Sequence, residues 1–286
     1  MVWNSRRVDN TTSDALYAGV PTWLEGPVLH WAATICEAHG GTRVHSRSRG
    51  GTEAILQEFE LATRRSPSLV DALRESALEG VRAHMEDEEW LDFIDLVLSK
   101  TIPLPWGDGN PSAERLEELL ATGGSEWTVG ERDGMPSLVT RVPEGVALAA
   151  SETIKASGTA GSLLGEAWHS LFGRAPDYEE AYEKAIKAVE EAGAHILLPK
   201  NPKATLGTMS QTLEDQSAWK LALGDDPKHP SQDVVAKMAR ALWSGQESRH
   251  GGNGYRKPTK EEAEAAVMLA VPLVQWFSSG AVAQRP

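Results

Sequence analysis

Apolar residues recur every three to four positions along most of the chain, which is the period of an amphipathic α-helix. The segment 86–99 is the clearest case, because one helical face collects Trp90, Phe93, Ile94, Val97 and Leu98. The same period, bounded by glycine and proline, predicts further N-terminal helices over 23–39, 53–64, 68–84 and 112–121. We therefore expect a mainly α protein.

Strand-like sequence is concentrated at one place in the chain. The segments 126–129 and 138–142 are rich in β-forming residues and flank Asp133-Gly134, a dipeptide typical of a tight hairpin turn. They predict one small β-hairpin at about 126–142.

The helical period returns after Pro143 and continues almost to the last residues. It predicts helices over 144–156 and 162–172, followed by four more over 177–192, 204–213, 231–243 and 259–277. Asp177 with Glu180, and Thr259 with Glu262, have the spacing of a capping box, and Ser231 is predicted to cap the third of the four. Pro272 is expected to kink the last helix. These four helices predict a compact bundle.

The chain length favours a division into two domains, since 286 residues exceed a typical single core. Residues 1–20 are polar and predict a poorly ordered lead-in. Residues 21–142 predict a helical N-terminal domain that ends in the hairpin, and 143–286 predict a helical C-terminal region.

From its apolar segments we expect the protein to be cytoplasmic. They break well before the ~20 residues that a membrane span requires, and the N-terminus lacks the apolar core of a signal peptide. Cys36, the single cysteine, lies in an apolar helical run, so we expect a buried thiol rather than a nucleophile.

A net charge of −13 disfavours long-range attraction of nucleic acid, so an RNA-binding interpretation requires a local basic site. The arginines within 43–51 lie between glycine pairs, and this segment is more typical of a solvated loop than of a phosphate site. Acidic residues predominate over 82–120. They are interpreted as solvated helix faces, with a surface for a protein partner as the alternative.

Several classes of enzyme are disfavoured by missing motifs. The sequence has no His-Glu-x-x-His, no carboxylate-rich calcium loop, no paired cysteines and no phosphate-binding glycine loop. We therefore expect no metal ion and no nucleotide cofactor.

The most unusual polar segment is 245–257, which is rich in glycine and lies between two apolar helices. Arg249 has the fork geometry to hold a phosphate, and His250 titrates near neutral pH and can move a proton. Together they suit cleavage of RNA through the ribose 2′-hydroxyl. A solvated glycine-rich connector is the alternative.

The order of elements in 177–283 resembles the HEPN superfamily, and especially the abortive-infection C-terminal domains of bacterial phage-defence proteins. The residues that carry this resemblance are 181–190 on the first helix, 204–207 at the start of the second, 242–251 before the fourth, and the small and apolar run 263–277.

The resemblance implies a homodimeric helical bundle in which an arginine and a histidine from each subunit meet across the interface and cleave RNA without metal. His250 matches the family histidine. The family arginine stands four to six residues earlier, where this chain has Ser244, Gly245 and Gln246, so the arginines nearest to the motif are Arg249 and Arg240. Some relatives in the superfamily are non-catalytic binding modules.

Three functions follow as hypotheses: a phage-defence or toxin-like endoribonuclease, a non-catalytic dimerisation or protein-interaction module, and a structural component of a phage or mobile element. For the first, the predicted site has three groups of residues. The catalytic candidates are His250, Arg249 and Arg240; the supporting residues are Glu247 and Asn253; and the candidates for binding phosphate or RNA are Arg256, Lys257, Lys200 and Lys203.

Overall fold

The computed structural model describes residues 16, 17, 19–39, 49–66, 68–103, 109–224, 226, 228–246 and 256–285. Within these ranges the chain forms eleven helices and four short strands, which confirms the predicted mainly α fold. The chain divides into two compact units, Met1–Arg141 and Val142–Pro286. None of the described helices has both the length and the apolar character needed to cross a bilayer.

The N-terminal unit contains the five helices and the hairpin that the apolar pattern predicts. Its elements are α1 (Thr22–His39), α2 (Arg49–Thr63), α3 (Leu69–Ala83), α4 (Asp87–Ser99), α5 (Pro111–Thr122), β1 (Trp127–Arg132) and β2 (Met135–Thr140). One boundary was predicted wrongly, because residues 49–51 form the first turn of α2 rather than part of a loop. The remainder of that predicted loop, and residues 1–15 and 18 of the predicted lead-in, lie outside the described residues.

Helix α4 supplies the centre of the N-terminal core. All five apolar residues of its predicted face are at most 1% exposed. Phe93 contacts two other aromatic rings, edge-to-face with Phe59 at 5.5 Å and stacked with Trp90 at 5.6 Å. Cys36 is also fully buried, as predicted. Burial raises the pKa of its thiol to about 12, so the sulfur stays neutral and unreactive.

The hairpin turns at the predicted dipeptide, because Asp133 and Gly134 both have positive φ, at 53° and 78°. Two helical carboxylates attach the hairpin to the unit. On α5, Glu117 accepts hydrogen bonds from the Thr128 hydroxyl at 2.7 Å and the Val129 N–H at 2.8 Å. On α4, the Asp95 carboxylate accepts from the Leu138 N–H at 2.6 Å.

Helix α3 is broken at Ala77, which has φ 54° and ψ −151°. Residues other than glycine rarely adopt this conformation, and it costs about 1–3 kcal/mol. We therefore expect Ala77→Gly to raise the free energy of unfolding by about 1 kcal/mol, measured by urea denaturation. The control is Ala54→Gly at an exposed position inside α2, which is expected to cost about 1 kcal/mol. Equal destabilisation by both substitutions would contradict strain at Ala77.

The C-terminal unit is a helical bundle with a two-stranded ribbon. Its elements are α6 (Glu144–Ala156), α7 (Gly158–Phe172), α8 (Tyr178–Leu197), α9 (Leu206–Asp215), β3 (Trp219–Leu221), α10 (Ser231–Ser244), α11 (Lys260–Ser278) and β4 (Val282–Gln284). Helix α8 packs against α7, α9 and α11, and α10 packs against α9 and α11. The four predicted helices are therefore present, but α6 and α7 belong to the same bundle.

The predicted capping residues of this unit differ in their roles. Thr259 and Glu262 form the complete capping box of α11, and the Asp177 carboxylate accepts two backbone N–H groups at the start of α8. Ser231 does not cap α10, because its hydroxyl accepts the Leu221 N–H of β3 at 3.1 Å. Helix α11 continues through Pro272.

Candidate functional site

The segment with the predicted catalytic pair joins α10 to α11. Glu247, Arg249, His250 and Asn253 all lie in 247–255, outside the described residues. The structure therefore describes only the residues that flank this segment, Gln246 on one side and Arg256 on the other.

The first end of the segment is fixed against α8. The Tyr182 hydroxyl donates a buried hydrogen bond of 3.0 Å to the Leu242 carbonyl, in the last turn of α10. Gly245 lies against the same hydroxyl, and a Cβ at this position would be 2.4 Å from the tyrosine oxygen. Only glycine fits here without a shift of the backbone or of Tyr182. Gln246 follows and is 8% exposed.

The second end is fixed by charge. Two nitrogens of the Arg256 guanidinium donate to the two carboxylate oxygens of Glu262, at 2.7 and 2.5 Å. Glu262 also accepts the Thr259 N–H at 2.9 Å. The hydrogen bond from Arg256 lowers the pKa of Glu262 to about 2, with a smaller contribution from the Thr259 backbone. The pair is therefore fully ionised at neutral pH, and Arg256 already has an anionic partner.

Arg240 is held by the neighbouring helix α9. Its Nη2 lies 2.9 Å from one oxygen of Glu214 and 3.2 Å from the amide oxygen of Gln211, and its Nε lies 3.3 Å from the other Glu214 oxygen. The two contacts with the Glu214 carboxylate neutralise the guanidinium and join α10 to α9. A phosphate bound by Arg240 would have to replace Glu214.

The predicted phosphate-binding lysines lie at opposite ends of α8. Lys257 is 3.9 Å from the carboxylate of Glu179, in the first turn of α8. Lys200 and Lys203 are exposed in the turn that follows the other end of the helix. Asn201 shapes this turn, because its side-chain oxygen accepts the Lys203 N–H at 3.1 Å. The structure therefore does not bring the four basic candidates together.

A cleft of about 480 Å³ lies beside the turn that carries Lys200 and Lys203. Its walls come from α7, from the last three turns of α8 and from the turn itself: Leu163, Lys187, Glu190, Glu191, Ala194, His195, Leu198, Pro199, Asn201, Pro202 and Ala204. This cleft was not predicted from the sequence. The only sequence signal for it is the i, i+4 spacing of Lys187, Glu191 and His195, which also describes an ordinary solvated helix face.

Comparisons of the chain with protein-family models, curated proteins and solved structures give no match. Among the described residues, no group of three or more histidine, cysteine, aspartate or glutamate side chains is arranged to hold a metal ion.

Proposed function

We propose that the chain is a phage-defence protein of the abortive-infection type, whose HEPN-like C-terminal bundle is a metal-independent endoribonuclease. One observation carries the proposal: α8, α9, α10 and α11 pack together in the order expected from the resemblance, and residues 247–255, which include Arg249 and His250, link the last two of these helices in sequence.

The chemistry needs a base, an acid and an anion-binding group. Arg249 binds the non-bridging oxygens of the scissile phosphate, while Glu247 and Asn253 orient the imidazole of His250. His250 accepts the proton of the ribose 2′-hydroxyl, the 2′-oxygen bonds to phosphorus, and the bond from phosphorus to the 5′-oxygen breaks. The leaving oxygen takes a proton from an imidazolium, a role suited to His250 of the partner subunit. The products are a 2′,3′-cyclic phosphate and a 5′-hydroxyl.

Arg240 receives a different role from the one that the sequence suggested. Because Glu214 and Gln211 occupy its guanidinium, we assign it to positioning α10 against α9. It acts on the 247–255 segment through the helix and not through the phosphate.

The test compares RNA cleavage by the purified chain with cleavage by the Arg249→Ala, His250→Ala double variant, in buffer containing EDTA. Growth of cells that express each protein is followed in parallel. The matched control is Arg132→Ala, His229→Ala, which removes the same side-chain types from exposed positions. We expect cleavage and growth arrest with wild type and control, and neither with the double variant.

A non-catalytic interaction module is the second candidate. It is favoured by the charge pairing near the segment, since Arg240 and Arg256 are paired with Glu214 and Glu262 in the described structure. This pairing weakens attraction of RNA. The acidic N-terminal helices would then hold a protein partner. Growth arrest that persists in the double variant would select this candidate over the ribonuclease.

Both candidate functions include a homodimer, and α11 offers a surface for dimerisation. Leu269, Pro272 and Trp276 share one face of this helix and remain partly exposed. We expect Trp276→Glu to shift the chain from dimer to monomer in sedimentation equilibrium, because a buried unpaired carboxylate disfavours association. The control is Leu148→Glu, which changes an exposed apolar residue of α6. A dimer that survives Trp276→Glu would exclude this face.

A further inference from the structure

The cleft beside α8 has a lining that matches the parts of a nucleotide. Its volume of about 480 Å³ lies within the range of small-molecule sites. Its apolar surface comes from six side chains on α7, on α8 and on the turn after α8: Leu163, Ala194, Leu198, Pro199, Pro202 and Ala204. These surfaces suit the flat faces of a nucleobase, which gain free energy when they leave water.

The polar side chains of the cleft differ in whether they already hold a hydrogen-bond partner within the protein. Glu190 already accepts the Leu206 N–H at 2.7 Å, at the start of α9, so its carboxylate is occupied in holding that helix. Glu191 and His195 are exposed and lie one helical turn apart on α8. A glutamate carboxylate accepts hydrogen bonds from the exocyclic amino group of a base, as carboxylates do with the cytosine amine.

Lysines lie in and beside the cleft, together with the carboxylates of Glu190 and Glu191. Lys200 and Lys203 are exposed on the turn that forms one wall, and Lys187 lines the cleft from α8, where it is paired with Glu183. Lys187 is balanced by the neighbouring glutamates, so the exposed positive charge lies on the turn that carries Lys200 and Lys203. Lysines at this position suit the phosphates on either side of a bound base.

We propose that this cleft binds one nucleotide of a single-stranded RNA, with the base inside and its phosphates at Lys200 and Lys203. The inference rests on the proposed function, because it assumes an RNA substrate. On α8, His195 in the cleft lies thirteen positions after Tyr182, whose hydroxyl contacts the last turn of α10. This spacing corresponds to about 20 Å along the helix axis. The cleft is therefore a second contact for the strand and not the place of cleavage.

The carboxylate of Glu191 gives the cleft a base preference. Cytosine presents an amino group where uracil presents a carbonyl oxygen, which a carboxylate repels. Strands of cytidine therefore bind more tightly than strands of uridine. Glu191→Gln removes this preference and leaves the phosphate contacts in place.

The experiment measures binding of fluorescent ten-nucleotide strands of cytidine and uridine by anisotropy, with the His250→Ala variant so that no strand is cleaved. Lys200→Glu, Lys203→Glu is expected to weaken binding about 10-fold or more and to lower the salt dependence by about 0.7 per lost phosphate contact. The control is Lys228→Glu, Lys237→Glu, which reverses two exposed lysines of the same unit. Equal weakening by both pairs would reduce the effect to overall charge and overturn the proposal.

Further results distinguish this proposal from a site for free nucleotides and from the ribonuclease proposal. If free cytidine monophosphate binds as tightly as the strand, the cleft is a nucleotide site and the assignment to a strand is wrong. If the wild-type chain does not cleave RNA, but binding is lost in the Lys200→Glu, Lys203→Glu variant, the cleft proposal stands and the ribonuclease proposal is wrong. If the wild-type chain cleaves RNA and this variant keeps full binding, the ribonuclease proposal stands and the cleft proposal is wrong.

Discussion

The Arg249→Ala, His250→Ala double variant is expected to cleave RNA at least about 100-fold more slowly than wild type. General acid–base catalysis by one side chain contributes about 10²–10⁴-fold to a rate, and one donor to a developing negative charge contributes about 10²–10³-fold. The two effects do not multiply fully, because both residues act on the same transition state. Initial rates on a labelled RNA, with circular dichroism of each protein, measure the change.

The Arg132→Ala, His229→Ala control separates chemistry from general charge loss, since it removes one arginine and one histidine that are not part of residues 247–255. It is expected to keep the wild-type rate within about 2-fold, because exposed substitutions of this kind rarely disturb a fold. Equal rates for wild type and the Arg249, His250 variant would remove the segment from catalysis altogether.

Replacement of Trp90 by alanine is expected to lower the free energy of unfolding of the N-terminal unit by about 3–5 kcal/mol. The side chain is fully buried and stacks on Phe93, so its loss removes apolar contacts and leaves a large cavity. A natural domain has about 5–15 kcal/mol in total, so the variant retains little stability. Urea denaturation followed by circular dichroism measures the change.

Trp23→Ala is the matched control, because this indole is 58% exposed and lies at the start of α1. Its removal deletes one hydrogen bond, from the indole nitrogen to the Gly123 carbonyl, and one edge contact with Tyr17. We expect a cost of about 1–2 kcal/mol. A Trp90→Ala cost as small as this would mean that α4 is not the centre of the core.

The helices were predictable because each one buries an apolar face that repeats along its own sequence. The Thr259–Glu262 capping box and the Asp133-Gly134 turn were predictable because their residues lie within a few positions of one another. The three-residue strands β3 and β4 were not predictable, because they pair across 60 residues and are too short to show alternation.

The environment of the candidate site depends on contacts between distant residues, and no local pattern predicts these. Arg240, one of the predicted catalytic candidates, contacts Glu214 across 26 positions and joins α10 to α9. Gly207 lies under the ring of Trp243, where a Cβ would be 2.6 Å from a ring atom. The cleft arises where the turn after α8 folds back beside α7, so its lining combines segments that the sequence separates.

Cleavage of one RNA strand in EDTA, compared with the same strand carrying 2′-deoxyribose, is the most direct test of a metal-independent ribonuclease at Arg249 and His250. We expect cleavage of the ribose strand with 2′,3′-cyclic phosphate ends, no cleavage of the deoxy strand, and loss of the cyclic product in His250→Ala. Equal cleavage of both strands, or cleavage that EDTA abolishes, would contradict a mechanism in which the 2′-hydroxyl attacks the phosphate.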